Sequence, residues 1–202
     1  MSLFPHIKSQ ARRVLRQEDG SASLEALAMF PIMMWGFVAT LAFFDAYRTE
    51  AVSEKAALTI ADMLSRETDY ITDTYIDGAY GLLQFLTLHD TAPGMRITSM
   101  RYHEKDETNS YDIKDHYHVV WSEVRGTTRD PLTRSDLDGL LDRLPALSDG
   151  DRLLLAETWT QFEPRYSVGL ESTEMSSYVF ISPRLTQTCF NNTPSDDSQA
   201  LC

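Results

Sequence analysis

The chain has 202 residues, enough for one domain and an appendage but not for two full-sized domains. Its 18 basic and 30 acidic side chains give a formal net charge of -12, unevenly spread. Residues 1–20 hold Lys8, Arg12, Arg13 and Arg16 against Glu18 and Asp19, which leaves 14 basic and 28 acidic side chains, a net of -14, in the remainder. Phosphate recognition needs clustered Lys and Arg, so this acidic body excludes nucleic acid as an expected partner.

In chain order the first element is an apolar helix. From Ala26 to Phe44 there is no charged residue, and Leu24 to Phe44 carries only Glu25. A membrane span needs about 20 mainly apolar residues, so a transmembrane helix is expected over 24–44. The basic residues lie before this span, while Asp45, Arg48, Glu50, Glu54 and Lys55 beyond it are mixed. The positive-inside rule then predicts a cytoplasmic N-terminus and an extracytoplasmic body. Two alternatives stand beside this reading. One is a buried core helix, which rarely runs this long without polar interruption. The other is a cleaved secretory signal, with "ARRVLRQ" (11–17) hinting at a twin-arginine type. The apolar run exceeds a usual signal core, and "TLAFFDA" offers no small-x-small cleavage site.

Glu25 needs an explanation. An acidic group at the centre of a spanning helix costs about 3 kcal/mol, less near an end, and is functional by default. Upstream, "DGSASLE" places Gly20 just before Ser21, and cutting after Gly20 would make Glu25 the fifth residue of the product. This resembles the processing site of type IV pilin-like precursors. In that family a membrane peptidase removes a short basic leader after a glycine, and the glutamate takes part in assembly. "GSASLEALAMFP", with Pro31 six residues after Glu25, is similar to TadE/TadG-like proteins of the tight-adherence (Flp) pilus system, as is "YVFISPRL" (178–185). A large adhesion-type domain of the TadG kind has no room, so TadE-like is the better label.

The resemblance implies a minor pilin or pseudopilin held in the bacterial inner membrane. Its partners would be a prepilin peptidase, other pilin-like subunits and the Tad assembly platform. It also implies that the amine freed at Ser21 meets Glu25 on the same or a neighbouring subunit. The plainer alternative is that Glu25 caps a helix near the headgroups. Pro31 is a tolerable kink, because lipid-embedded helices re-satisfy the freed backbone group.

Beyond the span, Val52, Ala56, Ile60 and Met63 share one helical face, with Glu50, Glu54, Asp62 and Arg66 around the rest. A helix over 21–67 is expected, roughly 70 Å long at about 1.5 Å per residue. "DTYIDGAYGLLQFLTLHD" (73–90) reads as a second helix, weakened at Gly78 and Gly81. "MRITSMRY" (95–102), "YHVVWSEVRG" (117–126), "RLLLAETWTQF" (152–162) and "SSYVFIS" (176–182) read as strands, and "TRSDLDGLLDRL" (133–144) as a short helix. The expected class is α+β: a long N-terminal transmembrane helix continuing into a pilin-like domain with an antiparallel sheet packed on helices. The divisions are a basic leader (1–20), the long helix (21–67), an extracytoplasmic domain (68–188) and a polar C-terminal tail (189–202), within which "NNTPSDDSQA" (191–200) is expected to be mobile.

Catalytic signals are sparse. His116 and His118 share one side of a strand and His103 stands on another, a conceivable metal site; the plainer reading turns the histidines to water, with Tyr117, Val119 and Trp121 in the core. Asp151 and Glu157 have no evident partner and read as solvated charges. No glycine loop fits a phosphate site and no serine sits in a nucleophile elbow, so neither an enzyme nor a cofactor is expected. Cys189 and Cys202 are the only cysteines. Outside the cytoplasm they would close the C-terminal loop as a disulfide, the alternative being free or intermolecular thiols. The competing function is a bitopic, membrane-anchored periplasmic binding domain with no filament role.

Overall fold

The structure is a computed structural model that describes residues 21–87, 92–104, 116–137, 140, 143–145, 147–166, 168–184, 188–193 and 195–202. The elements are α1 (Ser21–Ser65), α2 (Asp73–Thr87), β1 (Gly94–His103), β2 (His116–Arg125), α3 (Arg134–Leu137), β3 (Arg152–Phe162), β4 (Thr173–Ile181) and a 3-10 turn (Asp197–Gln199). The fold is α+β, with a long N-terminal apolar helix and a four-stranded antiparallel sheet in the order β2-β1-β3-β4.

The chain divides into two compact units. The first takes in α1 up to Ala46 together with Pro164–Glu171, and the second comprises Tyr47–Glu163 and Ser172–Cys202. The division thus falls inside α1, where the apolar run gives way to an amphipathic pattern.

In the second unit α1 buries Ala56, Ala57, Ile60, Ala61 and Leu64, a stripe at helical spacing, and leaves Glu54, Lys55 and Thr59 exposed. Its end is closed locally and from afar. Arg66 and Glu67 donate their backbone N–H groups to the carbonyls of Met63 and Leu64, and Arg184 N–H donates to the Ser65 carbonyl at 2.8 Å, satisfying an orphan acceptor of the last turn. Helix α2 opens on a cap, Thr72 Oγ1 accepting from Tyr75 N–H at 3.2 Å. Its buried residues, Ile76, Ala79, Leu83 and Thr87, again recur at helical intervals.

Both faces of the sheet are covered. One carries Met95, Ile97, Trp121 and Leu154 against Ala56, Ile60 and Leu64 of α1, Ile76, Ala79 and Leu83 of α2, and Ile71 and Phe190. The other carries Met100, Tyr102, Tyr117, Leu153 and Leu155 beneath the β2–β3 connection, which supplies Leu132, Leu137, Leu140, Leu144 and Leu147. A strand buried on both sides need not alternate. That explains "LLLA" in β3, the most buried strand. Each such aliphatic side chain contributes about 1.5–3 kcal/mol through burial.

The register of β1 against β2 shifts between Ser99 and Met100, so that Ser99 faces Trp121 while Met100 faces Val119. Val120 is the extra residue of a bulge. The bulge sends Tyr117 and Val119 to one core cluster and Trp121 to the other. All three face apolar surroundings as expected, but on opposite sides of the sheet.

Candidate functional site

Ser21 and Glu25 both lie in α1, at the N-terminal end of its described residues. Gly20, and with it the bond after it and the basic leader, lies outside the described residues. Leu24, Leu27, Met29, Phe30, Ile32, Met33, Met34, Trp35 and Phe37 are all exposed, so the apolar surface runs round the helix instead of forming one stripe. Glu25 is exposed among them. Among the described residues this is the one helix long and apolar enough to cross a membrane. Pro31 sits inside it without ending it. Proline has no N–H to give the preceding turn. Thr40 Oγ1 is satisfied within the helix by donating to the Gly36 carbonyl at 2.9 Å. No described element other than α1 carries any of Ser21, Glu25 and Pro31.

The C-terminal segment, expected to be a mobile tail, is instead tied to the body at several points. Cys189 and Cys202 are joined by a disulfide with their Cα atoms 4.5 Å apart. Between them, Phe190 and Leu201 exchange two backbone hydrogen bonds of 3.0 and 2.8 Å. Ile71 donates to the Cys189 carbonyl and accepts from Asn191 N–H, both at 2.9 Å. Phe190 packs on Trp121 with ring centroids 5.6 Å apart, and Trp121 Nε1–H donates to the Thr188 carbonyl at 2.9 Å. Asp196 accepts from the hydroxyl and N–H of Ser198, which hold its carboxyl below the usual carboxylate range. A polar composition alone suggested mobility; one buried phenylalanine and a crosslink override it.

The histidines sit at one end of β1 and β2. His103 lies opposite His116, their rings stacked with centroids 5.5 Å apart, and His118 lies opposite Arg101. His103 Nδ1 is 3.7 Å from an Asp149 carboxylate oxygen. Burial lowers the His118 pKa, and the neighbouring His103, Arg134 and His116 add to this. The structure therefore pairs His103 with His116 and leaves His118 beside an arginine. Among the described residues no group of three or more His, Cys, Asp or Glu side chains is placed to hold a metal ion.

Two polar constellations were not foreseen. Glu157, read from the sequence as solvated, is 1% exposed. Its oxygens accept from Arg96 Nε at 2.5 Å and Nη2 at 2.8 Å, a bidentate pair across β1 and β3. Arg96 Nη1 also donates to the Asp130 carbonyl at 2.9 Å. The Arg96 and Arg129 guanidinium carbons lie 5.3 and 4.5 Å from the Trp159 ring centroid. Asp151 does stay exposed, but its carboxylate accepts from Ser148 N–H at 3.1 Å. Arg125 bridges Asp73 at 2.7 Å, Asp77 at 2.6 Å and Glu123 at 3.0 Å, tying β2 to the start of α2. Burial opposes its charge, but the three carboxylates outweigh that and raise its pKa. The only sequence signal for either group was an isolated charge inside a strand pattern.

The chain matches no protein-family model, and no curated protein or solved structure matches it.

Proposed function

We propose that this chain is a TadE-like minor pilin or pseudopilin of a tight-adherence (Flp) pilus, a structural component of a secretion-type machine and not an enzyme. It is held in the bacterial inner membrane by residues 24–44, with its N-terminus in the cytoplasm and its α+β body in the periplasm. A prepilin peptidase cuts it after Gly20. Ser21 then becomes the N-terminus, and its partners are other pilin-like subunits and the Tad assembly platform. The observation that carries this reading is α1 itself. It bears one carboxylate, Glu25, beside a run with no charged residue through Phe44, and presents large apolar side chains on all sides through Trp35 before turning amphipathic beyond the run.

Within such a helix Ser21 and Glu25 stand four residues apart, one turn. An amine at Ser21 lies in reach of Glu25 on the same chain or of its counterpart on a packed neighbour. A poorly solvated charge contact of this kind, lost on one side only, costs about 3–5 kcal/mol, ample to decide assembly. Glu25→Gln keeps shape and removes charge, and a neutral amide inserts into lipid at least as readily. The expected variant is processed and membrane-resident but does not support pilus formation, whereas Gly20→Asp blocks cutting itself. Wild-type piliation by Glu25→Gln at normal protein levels would reduce Glu25 to a helix cap.

The discriminating experiment is N-terminal sequencing of the protein from native membranes. A mature chain beginning at Ser21 supports the pilin-like reading. An intact Met1, or a cut elsewhere, favours the bitopic binding domain.

A further inference from the structure

We infer that the turn joining β3 to β4 is a lipid-contacting site, docking through Arg165, Tyr166, Val168 and Leu170 on the phospholipid headgroup layer at the C-terminal end of the span. The inference rests on the membrane part of the proposed function and on nothing about pili.

The first ground is grouping. Pro164–Glu171 belong to the same compact unit as α1 up to Ala46, not to the unit that holds both of their flanking strands. The second is where α1 is covered. Residues 23–35 are exposed, whereas Ala42 is buried and Val38, Ala39, Asp45 and Ala46 are half-buried. Cover therefore falls on the last turns of the uncharged run, which ends at Phe44. The third is depth. Leu24 to Phe44 spans about 31 Å at about 1.5 Å per residue, close to the roughly 30 Å hydrocarbon core. Ala42, Asp45 and Ala46 accordingly lie near where hydrocarbon meets headgroups, with Val38 and Ala39 about 9 Å or less on its hydrocarbon side.

The composition of the turn suits that depth. Tyr166, 52% exposed, offers an apolar ring and a hydroxyl, the pairing enriched at membrane interfaces. Arg165 is the only basic residue between Arg152 and Arg184, a lone cation in an acidic stretch, where a lipid phosphate is its natural counter-charge. Val168 and Leu170 are half-buried. Gly169, at φ +96°, reverses the chain. Glu163 and Glu171 stand at the two ends of the turn, where it returns to the strands.

The test uses the full-length protein, disulfide intact, in phosphatidylethanolamine–phosphatidylglycerol vesicles. Nitroxide labels are placed by Tyr166→Cys, Phe37→Cys and Tyr178→Cys, all at exposed positions, and collision rates with oxygen and a water-soluble nickel complex are compared. Lipid contact raises oxygen collisions and lowers nickel collisions, whereas packing against protein lowers both. Expected is a label at 166 intermediate between 37 in lipid and 178 in water, with nickel collisions severalfold below those at 178. A label at 166 as nickel-accessible as 178, or shielded from both reagents, overturns the docking site while a lipid-immersed 37 leaves the membrane reading standing. A water-exposed 37 overturns the membrane reading beneath it.

Discussion

The Arg96–Glu157 pair offers the sharpest stability test. Glu157→Ala removes a carboxylate that is 1% exposed and leaves Arg96, its side chain 15% exposed, without its bidentate partner. Removing one member of a buried pair costs about 3–5 kcal/mol, because the remaining charge is left desolvated. Arg96 keeps the Asp130 carbonyl and the Trp159 ring, so Glu157→Ala belongs at the low end, about 3 kcal/mol. Arg96→Ala strands the deeper partner and belongs at the high end, about 5 kcal/mol. Against a typical total of about 5–15 kcal/mol, either is a large fraction.

The double variant separates desolvation from simple loss of contact. Arg96→Met with Glu157→Leu removes both charges and keeps apolar volume, and should fall within about 1 kcal/mol of the parent. The assay is urea unfolding of the full-length protein in detergent micelles, followed by tryptophan fluorescence, with Trp159 beside the pair as reporter. Single variants that each lose less than about 1 kcal/mol, or a double that loses their sum, would refute the argument.

Reducing the Cys189–Cys202 bridge, or replacing both residues by serine, should cost roughly 3 kcal/mol by loop entropy for the separation of 13 residues, measured as a shift in the urea midpoint with and without reductant. Gly126 has φ +68°, and an added Cβ would meet the Tyr80 hydroxyl and the Pro93 carbonyl, so Gly126→Ala should destabilise by well over about 1 kcal/mol. Unchanged stability there would mean the turn relaxes freely. His118 titrates below its ordinary 6.5, so the folded state holds fewer protons than the unfolded one as pH falls past that value. Its contribution is therefore present above about 6.5 and lost below it. A His118→Gln protein should show a flatter decline of melting temperature under mild acid, and an identical slope would exclude His118 as the cause.

Much of the fold was legible because its signals are local. An uncharged run and an amphipathic continuation anticipate a helix over 21–67, and the structure ends it at Ser65. The pattern in "RLLLAETWTQF" coincides with β3, Arg152–Phe162. The short helix expected over 133–144 is present as Arg134–Leu137, with residues 138, 139, 141 and 142 outside the described set. What was not legible depends on pairing at a distance. The strand order β2-β1-β3-β4 sets β1 between its hairpin partner and a strand beginning near residue 152, and composition carries no record of that choice. The bulge at Val120 comes from the same source, since a register shift belongs to two strands together.

The contrast between two glutamates shows where the boundary lies. Glu25 stood out because every neighbour through Phe44 is uncharged, so the surrounding medium is set by residues adjacent in sequence. Glu157 stood in a strand with Thr158, Thr160 and Gln161 close by, a context that reads as solvent. Its medium is set by Arg96, 61 residues away, and by the covering segment that brings Asp130 to the same guanidinium. A carboxylate can be interpreted from sequence when its solvent is encoded beside it. When its surroundings are supplied by a neighbouring strand distant in sequence, only the register tells, and that register is what places Glu157 opposite Arg96.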